Sequence, residues 1–321
     1  MNQRWICNDV WMDIFPSFDR PQLGLKLALL SPRFNALVDK HFDGKRELTI
    51  WRSIKIYKDK GPEAKLSVWF DDKFEEFPLP NRPLPSKIRF KCLQIEYIDH
   101  SVIAFLRSNH QIFDKRGINL QMMWLPSLHT TGDHQPIWDV LVHEIWPIFS
   151  PNIYNLGFSH GYHLDHLRRL ISPTILTNLN QLNSIDSDYL LPEAIGDFDG
   201  PNSTISAGQA LSKWLHIPRK DGQPKRLRCK DYNEQMDFDW VNNFEEHFLR
   251  ANAISSVSYQ IRFTVRVPSI MPFELVNERT QEKLTLTKGN EYKFDIYKRW
   301  IMKRCKIIGE TATVYWKDQN N

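Results

Sequence analysis

Strand-like and helix-like segments alternate between residues 88 and 250, and this alternation constrains the fold more than any other feature of the chain. Short runs rich in leucine, isoleucine and tyrosine are each followed by a run with apolar residues three and four positions apart. The strand-like runs are KCLQIEYI (91–98), INLQMMWL (118–125), NIYNLGFS (152–159), LNSID (182–186) and RLRCKDY (226–232). Repeated βα units of this kind form a largely parallel sheet on which helices pack. The sequence therefore predicts a βα-alternating domain over residues 88–250.

The leading leucines of these runs indicate a degenerate leucine-rich-repeat-like arrangement. They are Leu93, Leu120, Leu156, Leu182 and Leu227. Successive leucines are 27, 36, 26 and 45 residues apart. Two of the four intervals therefore match the period of about 20–29 residues that leucine-rich repeats have.

The segments on either side of this domain follow other patterns. Residues 47–87 contain two strand-like runs around KDKGPE (58–63) and then a proline-rich stretch, which together predict a β-hairpin and an extended connector. Residues 251–321 contain strand-like runs with short connections, which favour antiparallel pairing. The predicted fold class is α+β, with N-terminal helices, a βα-alternating domain and an antiparallel β C-terminal edge.

Residues 1–46 predict a module of three short helices. Asn8 is a candidate N-cap of the first, Pro21 suits the first turn of the second, and Ser31 followed by Pro32 begins the third. About 40 residues cannot bury a self-sufficient core, yet this module carries more apolar side chains than one internal face can hold. Either the rest of the chain or an external partner must cover the surplus, and the residues alone favour neither.

Composition excludes several classes of protein. The 42 basic and 38 acidic residues give a net charge of +4, which is too small a surplus for a dedicated nucleic-acid-binding protein. The four cysteines are far apart and predict neither a disulfide framework nor a zinc site. Because no apolar run suits a membrane span or a signal peptide, we expect a cytoplasmic or nuclear protein without a membrane partner.

Motifs for catalysis and cofactor binding are weak. Phosphate-binding glycine motifs and the nucleophile elbow are absent from the sequence, and we expect no cofactor. The string SHGYHLDHL (159–167) offers His160, His163, Asp165 and His166 as ligands of a metal-dependent hydrolase, with a spacing one residue away from the metallo-β-lactamase pattern. A helix that directs its leucines to a core and its histidines, Asp165 and arginines to solvent is the favoured interpretation.

Two basic runs stand out, RKDGQPKRLRCK (219–230) and KRWIMKRCK (298–306). A solvated loop and an amphipathic sheet edge explain both runs, and we favour that interpretation. Stacking and phosphate contacts to single-stranded nucleic acid are a weaker alternative. A third is an acidic protein partner attracted by complementary charge.

Two stretches near the N-terminus resemble the F-box. ICNDVWMDIF (6–15) is similar to its opening, with an apolar, an acidic, an apolar and an Ile-Phe position filled, and with Cys7 where the family usually has proline. LLSPRFNALVDKHF (29–42) resembles its end. The matching positions are Ile6, Asp9, Val10, Ile14, Phe15, Leu30, Ser31, Arg33, Phe34, Leu37 and Asp39.

Further stretches resemble an expanded family of F-box proteins in plant-parasitic nematodes. They are LGLKLALLSPRFNALVD, PLPSKIRFKCLQIEYIDHSVIAFL, HLDHLRRLISPTIL, GQALSKWLHIPRKDGQPKRLRC and MPFELVNERTQEKL. The resemblance implies a non-catalytic substrate receptor of a Skp-cullin-F-box ubiquitin ligase. Its F-box would bind the Skp adaptor, and through it a cullin scaffold, while the C-terminal domain would hold an unidentified target protein.

The resemblance favours an external partner, rather than the rest of the chain, as the cover of the surplus apolar side chains of residues 1–46. Apolar anchors at helical spacing would then bind the adaptor, and some of the same residues would form the internal core of the module. The candidates are Ile6, Cys7, Val10, Ile14, Leu23, Leu27, Leu30, Ser31, Phe34 and Leu37. Because Cys7 departs from the family pattern, an interaction protein that has lost adaptor binding is the first alternative, and a metal-dependent hydrolase is the second.

Overall fold

The computed structural model describes residues 6–43, 49–70, 73–113, 117–122, 135–193, 205–230, 239–252, 257–265, 270–289 and 298–307. The chain forms two compact units, Met1–Leu156 and Gly157–Asn321. Both units combine helices with β-strands, so the fold is mixed α/β. The boundary between the units falls inside the region 88–250 rather than at either of its ends.

The first unit begins with helical segments that do not reduce to the three helices predicted from the sequence. They are α1 (Asn8–Ile14), a 3₁₀ turn (Phe15–Ser17), α2 (Arg20–Gln22), a π turn (Leu23–Leu27), α3 (Ala28–Leu30) and α4 (Pro32–Asp43). The N-cap of α1 is Cys7 rather than the predicted Asn8, which is the first helical residue. Ser31 accepts a hydrogen bond from the amide of Phe34 at 3.3 Å, which fits the predicted start of α4.

The π turn distributes the leucines of residues 23–30 over several directions. Leu23 and Leu25 are buried, Leu27 and Leu29 are half-buried, and Leu30 is exposed. A π turn widens the helix by one residue and rotates the side chains that follow it. This is how a leucine-rich stretch directs part of its apolar surface away from the core.

The strands of the first unit are β1 (Thr49–Lys58), β2 (Ala64–Phe70), β3 (Lys73–Pro78), β4 (Ile88–Ile95) and β5 (Ile118–Met122). β1 pairs antiparallel with β2, and β2 pairs antiparallel with β3. β4 pairs in parallel with both β1 and β5. The sequence predicted the β1–β2 hairpin but not β3, which ends at Pro78, the first proline of the proline-rich stretch.

Helical segments separate the later strands of this unit. They are α5 (His100–Ser108), α6 (Gln135–Val140), a π turn (Leu141–Ile145) and α7 (Trp146–Phe149), after which β6 (Ile153–Phe158) begins. Asp99 caps α5 by accepting hydrogen bonds from the amides of Ser101 and Val102, both at 2.9 Å. The alternation of strand and helix predicted from the sequence is present here.

The second unit continues the same pattern and then changes to antiparallel pairing. Its elements are α8 (Gly161–Leu170), α9 (Ile175–Asn178), β7 (Ser184–Asp188), α10 (Ala207–His216), β8 (Lys225–Lys230), α11 (Asp239–Arg250), β9 (Tyr259–Val265), β10 (Phe273–Asn277), β11 (Glu282–Lys288) and β12 (Lys298–Lys306). β8 pairs in parallel with β7 and β9. β12 pairs antiparallel with β9 and β11, and β10 pairs antiparallel with β11.

The predicted antiparallel edge is therefore present in part. Antiparallel pairing does occur in the C-terminal region, but β9 belongs to the parallel part of its sheet, and the first unit has antiparallel strands of its own. Of the strand-like run YKFDIYKRWI (292–301) in this region, residues 298–301 lie in β12 and the rest lie outside the described residues.

The predicted leucine positions line up in the sheets with one correction. Leu93 of β4 lies opposite Leu120 of β5, as an ordered ladder requires. In the second unit the residue opposite Leu227 is Ile185, not Leu182, which precedes β7.

Each unit buries large aromatic side chains among its described residues. Trp138, Phe90 and Phe15 are among the largest fully buried side chains of the first, and Trp214, Phe244 and Phe263 of the second. Within the described residues, no helix has the length and apolar character that crossing a bilayer requires.

Candidate protein-docking surface

Hydrogen bonds from the side chain of Arg33 connect the beginning of α4 to the beginning of α1. Its Nη2 donates to the carbonyl oxygen of Ile6 at 2.7 Å, and its Nε and Nη2 donate to Oδ1 of Asn8 at 3.0 and 2.7 Å. Fork-like bonds from a guanidinium fix direction as well as distance. The two helix starts therefore form one surface, on which Ile6 and Asn8 lie beside Arg33.

Aromatic contacts hold the inner sides of the same helices together. The rings of Trp11 and Phe34 meet edge to face, with centroids 4.9 Å apart, and Phe15 meets His41 at 5.6 Å. Phe15 is fully buried. Such pairs add about 0.5–1.5 kcal/mol to the gain from burial, so α1 has a defined position against α4.

The ten residues proposed from the resemblance separate by exposure. Ile6, Val10 and Leu30 are exposed at 46%, 44% and 63% of their surface, and Cys7 is also exposed. Half-buried positions are Ile14, Leu27, Ser31 and Phe34. Leu23 and Leu37 are buried in the chain's own core. The structure thus divides the set into an outer group, which a partner could reach, and an inner group.

Polar contacts attach the helices to the proline-rich stretch of the same unit. Asn35 donates from Nδ2 to the carbonyl of Pro83 at 3.1 Å, and Asp39 accepts from the amide of Lys87 at 3.3 Å. Lys87 also pairs with Asp43 at 2.7 Å. These contacts use α4, so the exposed side chains of α1 remain outside them. We call Ile6, Val10 and Leu30, with Cys7, the outer apolar patch.

The connector is packed rather than free. Leu84 is buried, and its amide donates to Oδ1 of Asn109 at 2.7 Å. Nδ2 of Asn109 in turn donates to the carbonyl of Phe105 at the end of α5. The predicted extended connector is therefore a built part of the first unit.

The histidine string on α8 has a structural role. Nδ1 of His163 accepts from the amide of His160 at 3.3 Å, Nδ1 of His166 contacts the guanidinium of Arg169, and Asp165 pairs with Arg168 at 2.9 Å. These contacts engage the groups that would have to converge on a metal. Within the residues that the structure describes, no group of three metal-ligating side chains is placed to hold an ion.

The orientation predicted for α8 was wrong at three positions. His163, His166 and Arg168 are buried, whereas only Asp165 and Arg169 of the predicted polar set are exposed. Leu164 and Leu167 are buried as predicted. A helix that packs against neighbours on more than one side can bury polar residues when local hydrogen bonds and ion pairs satisfy them. The periodicity of the leucines predicts only one buried side of the helix, so it does not show that a second side is buried as well.

The described cysteines are free thiols. Cys229 is buried, Cys92 and Cys305 are half-buried, and Cys7 is exposed. Burial raises the pKa of the Cys305 thiol, which opposes the thiolate that a nucleophile needs.

A buried polar cluster in the second unit was not predicted. Arg304 of β12 and Glu282 of β11 form an ion pair at 2.6 Å, with 3% and 0% of their side chains exposed. The ring of His216 lies 5.0 Å from His247 and 5.3 Å from Tyr259. Burial lowers the pKa of His216 to about 3, with Arg304 among the further causes. Its members come from five elements, so only the tertiary fold brings them together.

Comparisons with known proteins give no counterpart for this chain. No family model matches it, and neither a curated protein nor a solved structure matches it. The geometry and the sequence resemblance are therefore the basis on which a function is proposed.

Proposed function

We propose that this protein is a non-catalytic substrate receptor of a Skp-cullin-F-box ubiquitin ligase. Its N-terminal helices bind the Skp adaptor, the adaptor links it to a cullin scaffold, and the C-terminal domain holds a target protein. Holding the target near the conjugating enzyme raises their effective concentration, and this is the receptor's contribution to catalysis.

The outer apolar patch is the observation that carries the proposal. Three large apolar side chains of the N-terminal region are exposed: Ile6 before α1, Val10 on α1 and Leu30 on α3. Neighbouring helical segments nevertheless bury Phe15, Leu23 and Leu37. Removing such side chains from water on binding is favourable by about 25 cal/mol per Å² of apolar surface. A partner with an apolar groove supplies that cover, and the positions of Ile6, Val10 and Leu30 also match the F-box pattern.

The test is capture of the Skp adaptor by the full chain on co-expression. We expect Leu30→Asp and Val10→Asp each to weaken capture by about tenfold or more, because each places a charge in a desolvated contact. Leu249→Asp is the matched control, since Leu249 is an exposed leucine of α11. Its effect should stay within about twofold. Capture that is unchanged by Leu30→Asp, or lost equally with the control, contradicts the proposal.

The conformation of Cys7 bears on the alternative of lost adaptor binding. Cys7 has a φ of −67° and makes no side-chain capping bond, so its backbone already has the angle that proline would impose. The departure from the family pattern therefore leaves the start of α1 in place. This observation favours retained binding.

A further inference from the structure

The two basic runs of the sequence come together on one sheet of the second unit. β8, from the first run, and β12, from the second, both pair with β9 and flank it. Side chains alternate between the faces of a strand, and directly opposite residues share a face. Arg226 lies opposite Gln260, which lies opposite Lys303, and Arg228 lies opposite Arg262. Cations that are more than 70 residues apart in sequence thus share one face.

Helices cover the other face of this sheet. Ile261 and Phe263 of β9 are buried. Trp240 of α11 packs against Phe263, with ring centroids 5.0 Å apart, and Phe244 packs against Tyr259 at 5.9 Å. The cations alternate with these buried residues along their strands and therefore lie on the side away from α11. Two of the cations there reach solvent, since Arg228 is 50% exposed and Lys230 is 41% exposed. Gln260 and Thr264 of β9, on the same side of the sheet, are buried.

The charges on this face are unequal. Its described carboxylates are Asp186, Asp188 and Glu274, which approach Arg228, Lys230 and Lys283 at 3.7, 3.6 and 2.6 Å. The described cations of what we call the basic sheet face are Arg226, Arg228, Lys230, Arg262, Lys283, Arg299 and Lys303. Seven positive charges against three negative ones leave a surplus that equals the net charge of +4 of the whole chain.

We propose that the basic sheet face binds an acidic, extended segment of a partner protein. A surface with a surplus of one charge attracts the opposite charge and speeds encounter. Guanidinium groups also bind carboxylates through paired hydrogen bonds. As the place where a ubiquitylation target is held, the assignment rests on the proposed function, whereas the binding of an acidic segment by this face does not.

The composition of the face favours a peptide over a nucleic acid. Sheets that bind single strands stack the bases on aromatic side chains, and no aromatic residue lies on this face among its described positions on β7, β8, β9, β11 and β12. Asp186 and Asp188 line one margin of the cations and would repel a phosphate chain. A peptide can place its glutamates on the arginines and its neutral residues beside those aspartates.

The experiment measures binding of the full chain, without adaptor, to a fluorescent peptide of alternating glutamate and serine. The double variant Arg228→Glu with Lys303→Glu should weaken binding by about tenfold or more, and the neutral Arg228→Gln with Lys303→Gln by less. Arg250→Glu is the matched control because Arg250 ends α11, on the covered side, and is largely exposed. Its effect should stay within about twofold, and raising the salt concentration should weaken all binding.

Each further outcome is decisive. An oligonucleotide with the same number of charges that binds more tightly than the peptide, and loses affinity in the same double variant, overturns the proposal in favour of nucleic acid. Equal losses in the double variant and the Arg250→Glu control overturn it as nonspecific attraction. Adaptor capture by the double variant, whose far-ultraviolet circular dichroism reports folding, separates the two proposals. Intact capture with weakened peptide binding supports this inference, whereas an unsubstituted chain that captures the adaptor but binds no peptide contradicts this inference alone.

Discussion

The N-terminal helices and the α10–α11 layer of the second unit differ in the kinds of side chain that they bury and expose. On the second unit, the helices bury aromatic side chains against the sheet and enclose even an ion pair, Arg304 with Glu282. The N-terminal helices bury Phe15 but leave Val10 and Leu30 exposed. A layer that buries charges depends on their pairing, because loss of one partner leaves the other buried and uncompensated. A layer that leaves apolar groups outside gains stability only when something covers them.

The largest expected effect breaks the buried pair. Glu282→Ala leaves the guanidinium of Arg304 uncompensated and should lower the local free energy of unfolding by about 3–5 kcal/mol. Hydrogen exchange of the β11 and β12 amides measures it. Glu246→Ala removes the exposed partner of Arg250, at 3.1 Å, and should cost about 0.5 kcal/mol or less.

An apolar replacement of both partners sharpens this result. Glu282→Leu combined with Arg304→Met should recover most of the loss, because a buried ion pair replaced by packed apolar groups is often neutral. If Glu282→Ala costs no more than Glu246→Ala, the second unit does not depend on this pair, and the contrast with the N-terminal helices fails.

A pair of leucines tests the contrast within the N-terminal helices. Leu23→Ala should lower the free energy of unfolding by about 2–5 kcal/mol, since Leu23 is 1% exposed and its removal leaves a cavity. Leu30→Ala should change it by about 0.5 kcal/mol at most, because Leu30 is already in solvent. Urea unfolding measures both. Similar losses for the two variants would show that Leu30 belongs to the core.

Acid should weaken the second unit through His216. Burial holds its folded-state pKa at about 3, below the ordinary value of about 6.5. The unfolded chain therefore binds a proton first as the pH falls, and stability is lost between about pH 6.5 and pH 3. At pH 5 the loss from this residue should reach up to about 2 kcal/mol. The causes after burial include the nearby charges of His247, Arg304 and Lys225.

His216→Phe separates this residue from the other titrating groups. The variant keeps an aromatic ring beside Phe244 and Tyr259 but loses the Nδ1 bond to the carbonyl of Ser212. The difference in unfolding free energy between pH 7 and pH 5 should shrink in the variant. His247, whose pKa burial also lowers, leaves a residual dependence of the same sign. An unchanged pH difference would exclude His216 as its source.

Local patterns in the sequence predicted the features that depend on neighbouring residues. The strand–helix alternation, the β1–β2 hairpin and the helix start at Ser31 each follow from periodicity, a turn or a cap. Pairing partners are set by tertiary contacts, and the sequence missed them for that reason. Ile185 rather than Leu182 lies opposite Leu227 because strand register is fixed by the packed sheet.

The candidate surfaces show the same division. The apolar surplus of the first 46 residues was visible in the sequence, but the different exposure of Leu23 and Leu30 depends on the π turn that begins at Leu23. The basic runs were also visible, whereas their meeting across β9 depends on register. Burial of His163 and His166 depends on cover from outside α8, which helical periodicity does not encode.

The smallest expected effect concerns the start of α1. Cys7→Pro should raise the free energy of unfolding by about 0.4–1 kcal/mol, because the native φ of −67° suits proline and the unfolded chain loses freedom. Adaptor capture should stay equal or improve, since the outer apolar patch keeps its geometry. Asn8→Pro is a contrasting variant. Its backbone effect should be small, because the amide at a helix start has no partner within the helix. The variant instead removes the Oδ1 atom to which Arg33 donates. The contradicting outcome is that Cys7→Pro destabilises the chain or reduces capture while Cys7→Ala does neither. The backbone amide of residue 7 would then be needed to position the outer apolar patch, which the described contacts do not indicate.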